Sequence, residues 1–304
     1  MLDRMRSELA PRVREGLPRN EAGPCSISVP AERSAPGPGQ GRLAVALVEG
    51  ASAVVGCASA PPLHLFTPRA RGRSVSALVA GHGGGLLAGD VVELAVEVGP
   101  GAVATVGTQA DTRVYRSEGP RAVQRVTARL GAGAALGHLP EPTRCFAGAR
   151  YRQEQRFDLE PGASLLLLDA LTPGRSARGE RWAFDEYLTR NEVHLGGRLV
   201  LRDALRLLPG EGPGVAHRMR SFELLATVVA LGPAFAHAAR AILERVGALA
   251  VEGGGALRVA ASPLLDGLHL RLAARSVEEG QAFVHEQVAL ASPVFGRDPL
   301  AHRP

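Results

Sequence analysis

Four segments of this chain share one plan, an alternating strand, a tight glycine turn and then an apolar strand. They read ELAVEVGPGAVATVGTQ, QRVTARLGAGAALGHLP, QRFDLEPGASLLLLDA and RNEVHLGGRLVLRDA. Their turn glycines, Gly101, Gly133, Gly162 and Gly197, fall 32, 29 and 35 residues apart. A repeat of roughly 20–50 residues marks units that cannot bury their apolar face alone and stack on their neighbours to do so. Within the units, period-2 alternation rich in β-branched residues, as in VVELAVEV and AVQRVTARL, predicts half-buried strands. The expected fold is therefore mainly β with a few α-helices. Stacked β-strand pairs make a partly helical, β-solenoid-like body, followed by a small C-terminal α+β portion.

The rest of the chain sets the boundaries. Residues 1–40 form a flexible N-terminal tail in this reading, because RSAPGPGQG is rich in Pro and Gly. Residues 41–304 make a single domain, with a β-rich body over 41–210 and the α+β end over 211–304. In that end FELLATVVAL predicts a buried strand, and Pro233 suits the first turn of a following helix. ALRVAAS and LHLRLAA predict two strands about a turn at Asp266 and Gly267. Ser276 and Glu279 have the spacing of a capping box for a last helix from Val277 to about Leu290.

Composition narrows the chemistry. The 304 residues include 45% apolar and only 4% aromatic residues, so Ala, Val and Leu do the packing. None of the 35 basic residues is lysine. That excludes a Walker A loop, a Schiff base and a lysine-activated nucleophile. The net charge of +5 comes from scattered arginines with few aromatics for stacking, and no nucleic-acid motif accompanies them. A protein partner with an acidic face explains the basicity at least as well. Cys25, Cys57 and Cys145 are odd in number and widely spaced, which fits a reducing compartment. With no apolar h-region at the start and no run of about 18 apolar residues, the expected location is the cytoplasm, away from membranes.

The stretch GHGGGLLAGD, residues 81–90, poses the sharpest question. HGGG resembles the oxyanion-hole motif of some lipases, but the Gly-x-Ser-x-Gly elbow that reading needs is missing. A phosphate cradle wants a helix next, whereas DVVELAVEV predicts a strand. A lone His82 makes a weak metal site, since such sites need three or four ligands. What remains is structural, glycines that permit positive φ or a close backbone approach, with a backbone-lined ligand path as the other reading. Elsewhere His64, His138 and His194 sit singly on strand-like segments. EPTRCF holds Glu141 and Cys145 four residues apart, and GRSARGERW groups three arginines with Glu180. None of these completes a catalytic constellation. A cryptic hydrolase using HGGG, and a structural or interaction module with other partners, stay open on the residues alone.

One further pattern is shared with a known family. The run GGGLLAGDVVELAVEVGPGAVATVGTQADTRVYRS resembles the signature of the urease accessory protein family UreD, also called UreH. LPEPTRCFAGARYRQ, GASLLLLDALTPGRSARGERW, RMRSFELLATVVALG and LHLRLAA follow in the family's order. The resemblance rests on Gly84, Gly85, Gly89 and Asp90, on Thr108 and Gln109, on Tyr115 and Arg116, and on Gly174 and Arg175. It implies a non-catalytic scaffold that acts with UreF and UreG on apo-urease, carries nickel in transit through an internal channel, and binds no cofactor tightly. It also admits a homodimer of the accessory complex, and neither nucleic acid nor membrane is a partner. Under this resemblance Asp90, Glu141, Glu180, His82 and Cys145 are the candidate residues of a nickel path. His82 with its extra glycine, and Cys145, depart from the family pattern, and residues 1–40 have no counterpart in it.

Overall fold

A computed structural model describes residues 35–69, 72–249 and 255–301. Most of the predicted tail, Cys25 included, lies outside the described residues. The strands are β1 (Gln40–Val48), β2 (Ala51–Ser59), β3 (Leu63–Phe66), β4 (Val75–Gly81), β5 (Val91–Val98), β6 (Val103–Thr108), β7 (Thr112–Val114), β8 (Ala122–Leu130) and β9 (Ala135–Leu139). They continue with β10 (Thr143–Cys145), β11 (Arg150–Leu159), β12 (Ser164–Thr172), β13 (Glu186–Leu195), β14 (Arg198–Leu207), β15 (Leu224–Leu231), β16 (Leu257–Leu264) and β17 (Gly267–Ala274). The helices are α1 (Val215–Met219), α2 (Ala236–Gly247), α3 (Val277–Ala289) and α4 (Ser292–Phe295). None of the described helices is long and apolar enough to cross a membrane.

Two sheets face each other. The first runs β14-β13-β11-β8-β5-β1-β2, and the second runs β16-β17-β15-β12-β9-β6-β4-β3, with β10 paired to β12 and β7 paired to β10. Three of the repeated units make the same move. β5, β8 and β11 lie parallel in the first sheet, and β6, β9 and β12 lie parallel in the second. Each unit thus crosses from one sheet to the other and returns, which is a solenoid coil.

The turns explain the crossing. Ala102, Ala134 and Ala163 donate their N–H to Gly99, Gly131 and Glu160 carbonyls at 3.1, 3.0 and 3.0 Å. Gly101, Gly133 and Gly162 hold φ of 69°, 70° and 82° at the third turn position, as a type II turn requires. Pro100 and Pro161 preset the position before. Successive turns stack, with Gly101 N donating to Ala132 O at 3.0 Å and Ala132 N donating to the Glu160 carboxylate at 2.9 Å.

The fourth unit departs from the shared plan. Gly196 and Gly197 both take positive φ, 56° and 81°. Two consecutive left-handed residues make the hairpin turn that matches strand twist. β14 therefore folds back antiparallel on β13 within the first sheet instead of crossing. The C-terminal strands β15, β17 and β16 then extend the second sheet antiparallel from β12.

Packing follows in layers. Between the sheets lie Val96, Val98, Ala128, Leu130, Phe157 and Leu159 from the first and Ala104, Val106, Leu136, Leu165 and Leu167 from the second. The outer face of the second sheet buries Leu166, Leu168, Leu268 and Leu270 against Phe235, Ile242, Val284 and Phe295 of the helical part. α2 starts at Ala236 rather than Pro233, because Gly232–Phe235 form a separate turn first (Phe235 N to Gly232 O, 3.0 Å). Ser276 Oγ accepts from Glu279 N at 3.2 Å and caps α3, as its spacing predicts.

Candidate functional site

The glycine stretch ends β4 and passes over the segment Arg113–Pro120. A side chain at Gly85 would put its Cβ 2.6 Å from the Arg113 carbonyl and 2.7 Å from the Tyr115 ring. Only glycine lets Leu86 pair with Val114 there, through Leu86 N to Arg113 O at 2.8 Å and Tyr115 N to Leu86 O at 2.9 Å. Gly84 and Gly89 hold φ of 77° and 83°, and Gly89 N reaches Pro120 O at 3.1 Å. The Asp90 carboxylate accepts from Leu87 N at 2.8 Å and closes the turn that leads into β5. The strand after Asp90, where a phosphate site would want a helix, is present as expected.

From this crossing a chain of contacts runs through the other signature segments. The Tyr115 ring meets Phe146 edge-on at 5.3 Å between centroids, and the Arg175 guanidinium stacks 4.5 Å from the Phe146 centroid. Arg175 grips Glu180 with two bonds of 2.9 and 2.5 Å, while Ala147 N donates to the same carboxylate at 3.3 Å. The Arg175 guanidinium holds the Glu180 carboxyl below its usual range. A Cβ on Gly174 would stand 2.6 Å from the Glu180 carbonyl and 2.8 Å from that of Cys145. Cys145 lies on β10, fully buried among Tyr151, Trp182 and Phe184, and burial pushes its thiol well up. A thiol packed this way fills space as a small hydrophobe does. Arg116 bridges Ala149 through its backbone, and its exposed guanidinium lies 3.7 Å from Glu118.

A cavity of about 180 Å³ opens beside the crossing, lined by His82, Gly84, Gly85, Thr108, Gln109, Asp111 and Gln124 among others. Thr108 Oγ1 accepts from Glu141 N at 2.8 Å, so Glu141 borders Thr108, while Arg144 holds Asp111 at 2.7 Å. His82 lies on the cavity wall with its imidazole against that of His64. Among the described residues no three His, Cys, Asp or Glu side chains gather as a metal centre.

The residues that sequence reasoning missed lie between the sheets. Parallel register stacks like upon like across the first sheet. Leu130, Leu159 and Leu195 form one row, and Ala128, Phe157 and Val193 the next. Two polar rows follow, Gln155–Asn191–Asp203 and then Gln124–Gln153–Thr189. Facing them from the second sheet are Asp169 and Thr227, paired across β12 and β15, and Arg271, which pairs with Thr227. Gln124 Oε1 and Gln153 Oε1 each lie 3.0 Å from the Tyr151 hydroxyl, whose proton they share. Gln153 and Asn191 donate to the two Asp169 oxygens at 3.1 and 2.8 Å. Arg271 pairs with Asp203, and Thr227 reaches the same carboxylate at 3.5 Å.

Burial pushes the Asp169 carboxyl above its usual range, with the Asn191 and Gln153 amides opposing. The same effect lowers His138 to about 4. A second cavity of about 190 Å³ is lined by Asp169, Tyr187, Thr189, Asp203, Thr227 and Arg271. The hydrogen-bonded line Gln124–Tyr151–Gln153–Asp169 therefore runs from a wall of the first cavity to a wall of the second. The sequence held one signal for it. The alternation of YRQEQRF puts Gln153 and Gln155 on the same side as Phe157, and Asp169 interrupts the apolar run SLLLLDA.

A two-sheet parallel coil with a polar seam through its interior is the class that the fold and the site define. The model of the UreD urease accessory protein family matches residues 37–304, so the chain belongs to that family. A urease accessory protein UreD from Anaeromyxobacter sp. is 59% identical over 266 residues, covering 88% of this chain and 90% of its own length. The relative from Sorangium cellulosum is 43% identical over 87% and 84% of the two chains. Urease accessory protein D of Oryza sativa subsp. japonica is 30% identical over 88% and 96%.

Proposed function

We propose that the chain is a non-catalytic, cytoplasmic scaffold of urease maturation that works with UreF, UreG and apo-urease and lets nickel pass through its interior. The observation that carries the passage is the polar seam between the two cavities. Two of its buried acceptors, Gln155 Oε1 and Asn191 Oδ1, have no hydrogen-bond donor among the described residues. Each unmet buried acceptor costs about 1–3 kcal/mol, and leucine in those rows would remove the cost. Lone pairs kept at that cost, beside the carboxylates of Asp169 and Asp203, suit a cation in transit. An uncompensated divalent charge would not otherwise enter such an interior.

This reading moves the passage away from Asp90 and Glu180, whose carboxylates serve a turn and an ion pair, and from the protonated Cys145. His82 and Glu141 keep a place at the first cavity and beside Thr108. Oxygen ligands without a closed coordination set release nickel readily, as transfer demands.

The test is urease activity and nickel content in cells carrying Asp169→Leu or Asp203→Leu, with pull-down of UreF and urease as the assembly control. Activation is expected to fall roughly tenfold, a coupling of about 1.4 kcal/mol, while the complex stays assembled. Full activation by both variants would remove the passage. Loss of assembly in step with activation would make the seam purely structural.

A further inference from the structure

We propose that His64 and His82 together form a surface site for a divalent late transition-metal ion, nickel, copper or zinc, on the wall of the first cavity. The backbone brings them together. β3 and β4 pair antiparallel with His64 opposite Ala80, and His82 N donates to Pro62 O at 2.8 Å. His82 is then the diagonal neighbour of His64, two residues beyond its direct partner. Such diagonal neighbours share a face, within reach of long or aromatic side chains. The rings meet there, with centroids 4.1 Å apart and His64 Nε2 against His82 Nδ1. His82 is exposed and His64 half-buried.

Two explanations compete for that contact. As a hydrogen bond between two imidazoles it would contribute little, because water could replace it on an open surface. As a chelate, one ion takes the lone pair of each ring with bonds of about 2.0–2.1 Å. Imidazole nitrogen suits nickel, copper and zinc and does not suit magnesium or calcium.

His64 stands on β3, and His82 follows directly on the last residue of β4, where its N–H is tied to Pro62 O. The cavity that His82 lines carries Thr108, Gln109 and Asp111 as oxygen donors. Two protein ligands leave the other coordination positions to water, so the site takes up an ion and gives it up again. Nickel as the ion used in the cell rests on the accessory role proposed above, but metal binding itself does not.

The experiment is equilibrium binding of Ni²⁺ to the purified soluble fraction of the untagged full-length chain, with Mg²⁺ as the contrast. Copper EPR of the same samples counts imidazole nitrogens on the ion. One Ni²⁺ is expected to weaken at least tenfold in His64→Ala and in His82→Ala and to disappear in the double variant, with His217→Ala unchanged because His217 is exposed and separate from the pair. The copper spectrum should show two coupled nitrogens that fall to one in either single variant. Unchanged nickel binding in the double variant, no binding by the parent chain, or equal affinity for Mg²⁺ would each overturn the site. The assay contains no urease, so its failure leaves the accessory role standing, just as failure of the activation test leaves this site standing.

Discussion

Asp169 shows how one residue can be costly to the fold and still be placed by it. Its carboxyl faces the seam, desolvated, with two amide donors and the second cavity beside it. Its folded pKa is raised above the ordinary value of about 3.9, so the folded chain holds this proton more tightly than the unfolded one. The sign follows. This group favours folding most below the ordinary carboxylate range, and its contribution falls as pH rises through the raised value. Asp169→Asn keeps the shape and does not titrate. We therefore expect the stability of the Asn variant relative to the parent to improve between pH 4 and pH 7. Urea midpoints of both proteins at both values check this, and a difference independent of pH would show that Asp169 ionises in the fold as it does in the unfolded chain. Cys145 entered as a candidate of the nickel path, and its full burial on β10 became visible only in the fold. That Glu180 sits among arginines was legible in GRSARGERW, but that it grips Arg175 in particular, and Ala147 N besides, was not.

At the scale of elements the turns decide more than the strands do. β13–β14 and β11–β12 look alike as strand patterns, but Pro161-Gly162 sends the chain across the sandwich while Gly196-Gly197 returns it to the same sheet. The turn glycines are thus constrained by φ more than by space. A Cβ at Gly101 would meet nothing closer than Leu47 Cδ2 at 3.7 Å. Gly101→Val and Gly133→Val should each cost more than about 1 kcal/mol through the left-handed backbone alone. Gly119, outside the left-handed region and with open space around its Cβ position, should accept valine within about 0.5 kcal/mol. Thermal and urea midpoints of the three variants make the comparison. Equal losses at all three would mean that β-branching, and not φ, sets the cost.

Over the whole molecule, one end of the sandwich is left poorly protected. β2 is the edge of the first sheet, nine residues without a charge, and Val55 on it is 47% exposed, while Leu47 and Val48 of the neighbouring β1 are 42% and 40% exposed. Natural edges of this length usually carry charge, proline or a cover. We expect the chain expressed alone to be poorly soluble and co-expression with UreF to raise its soluble fraction several-fold. The soluble yield with and without UreF measures this. Equal yields would mean that the edge needs no cover.

The sequence by itself determined the strands, their repeat, the coil they make and the glycine crossing, because alternation and turn chemistry are local and act within a few residues. The run from Val91 to Val98 reads as a strand in either form. Tertiary structure alone decided which residues line the interior. Gln124, Gln153 and Thr189 are 29 and 36 residues apart in the chain and become neighbours only through parallel register. His64 and His82 become a pair only through antiparallel register. A polar residue on an alternating strand looks the same facing water or facing a second sheet. Which it faces depends on which strands pack against it, and that is settled by burial over the whole chain.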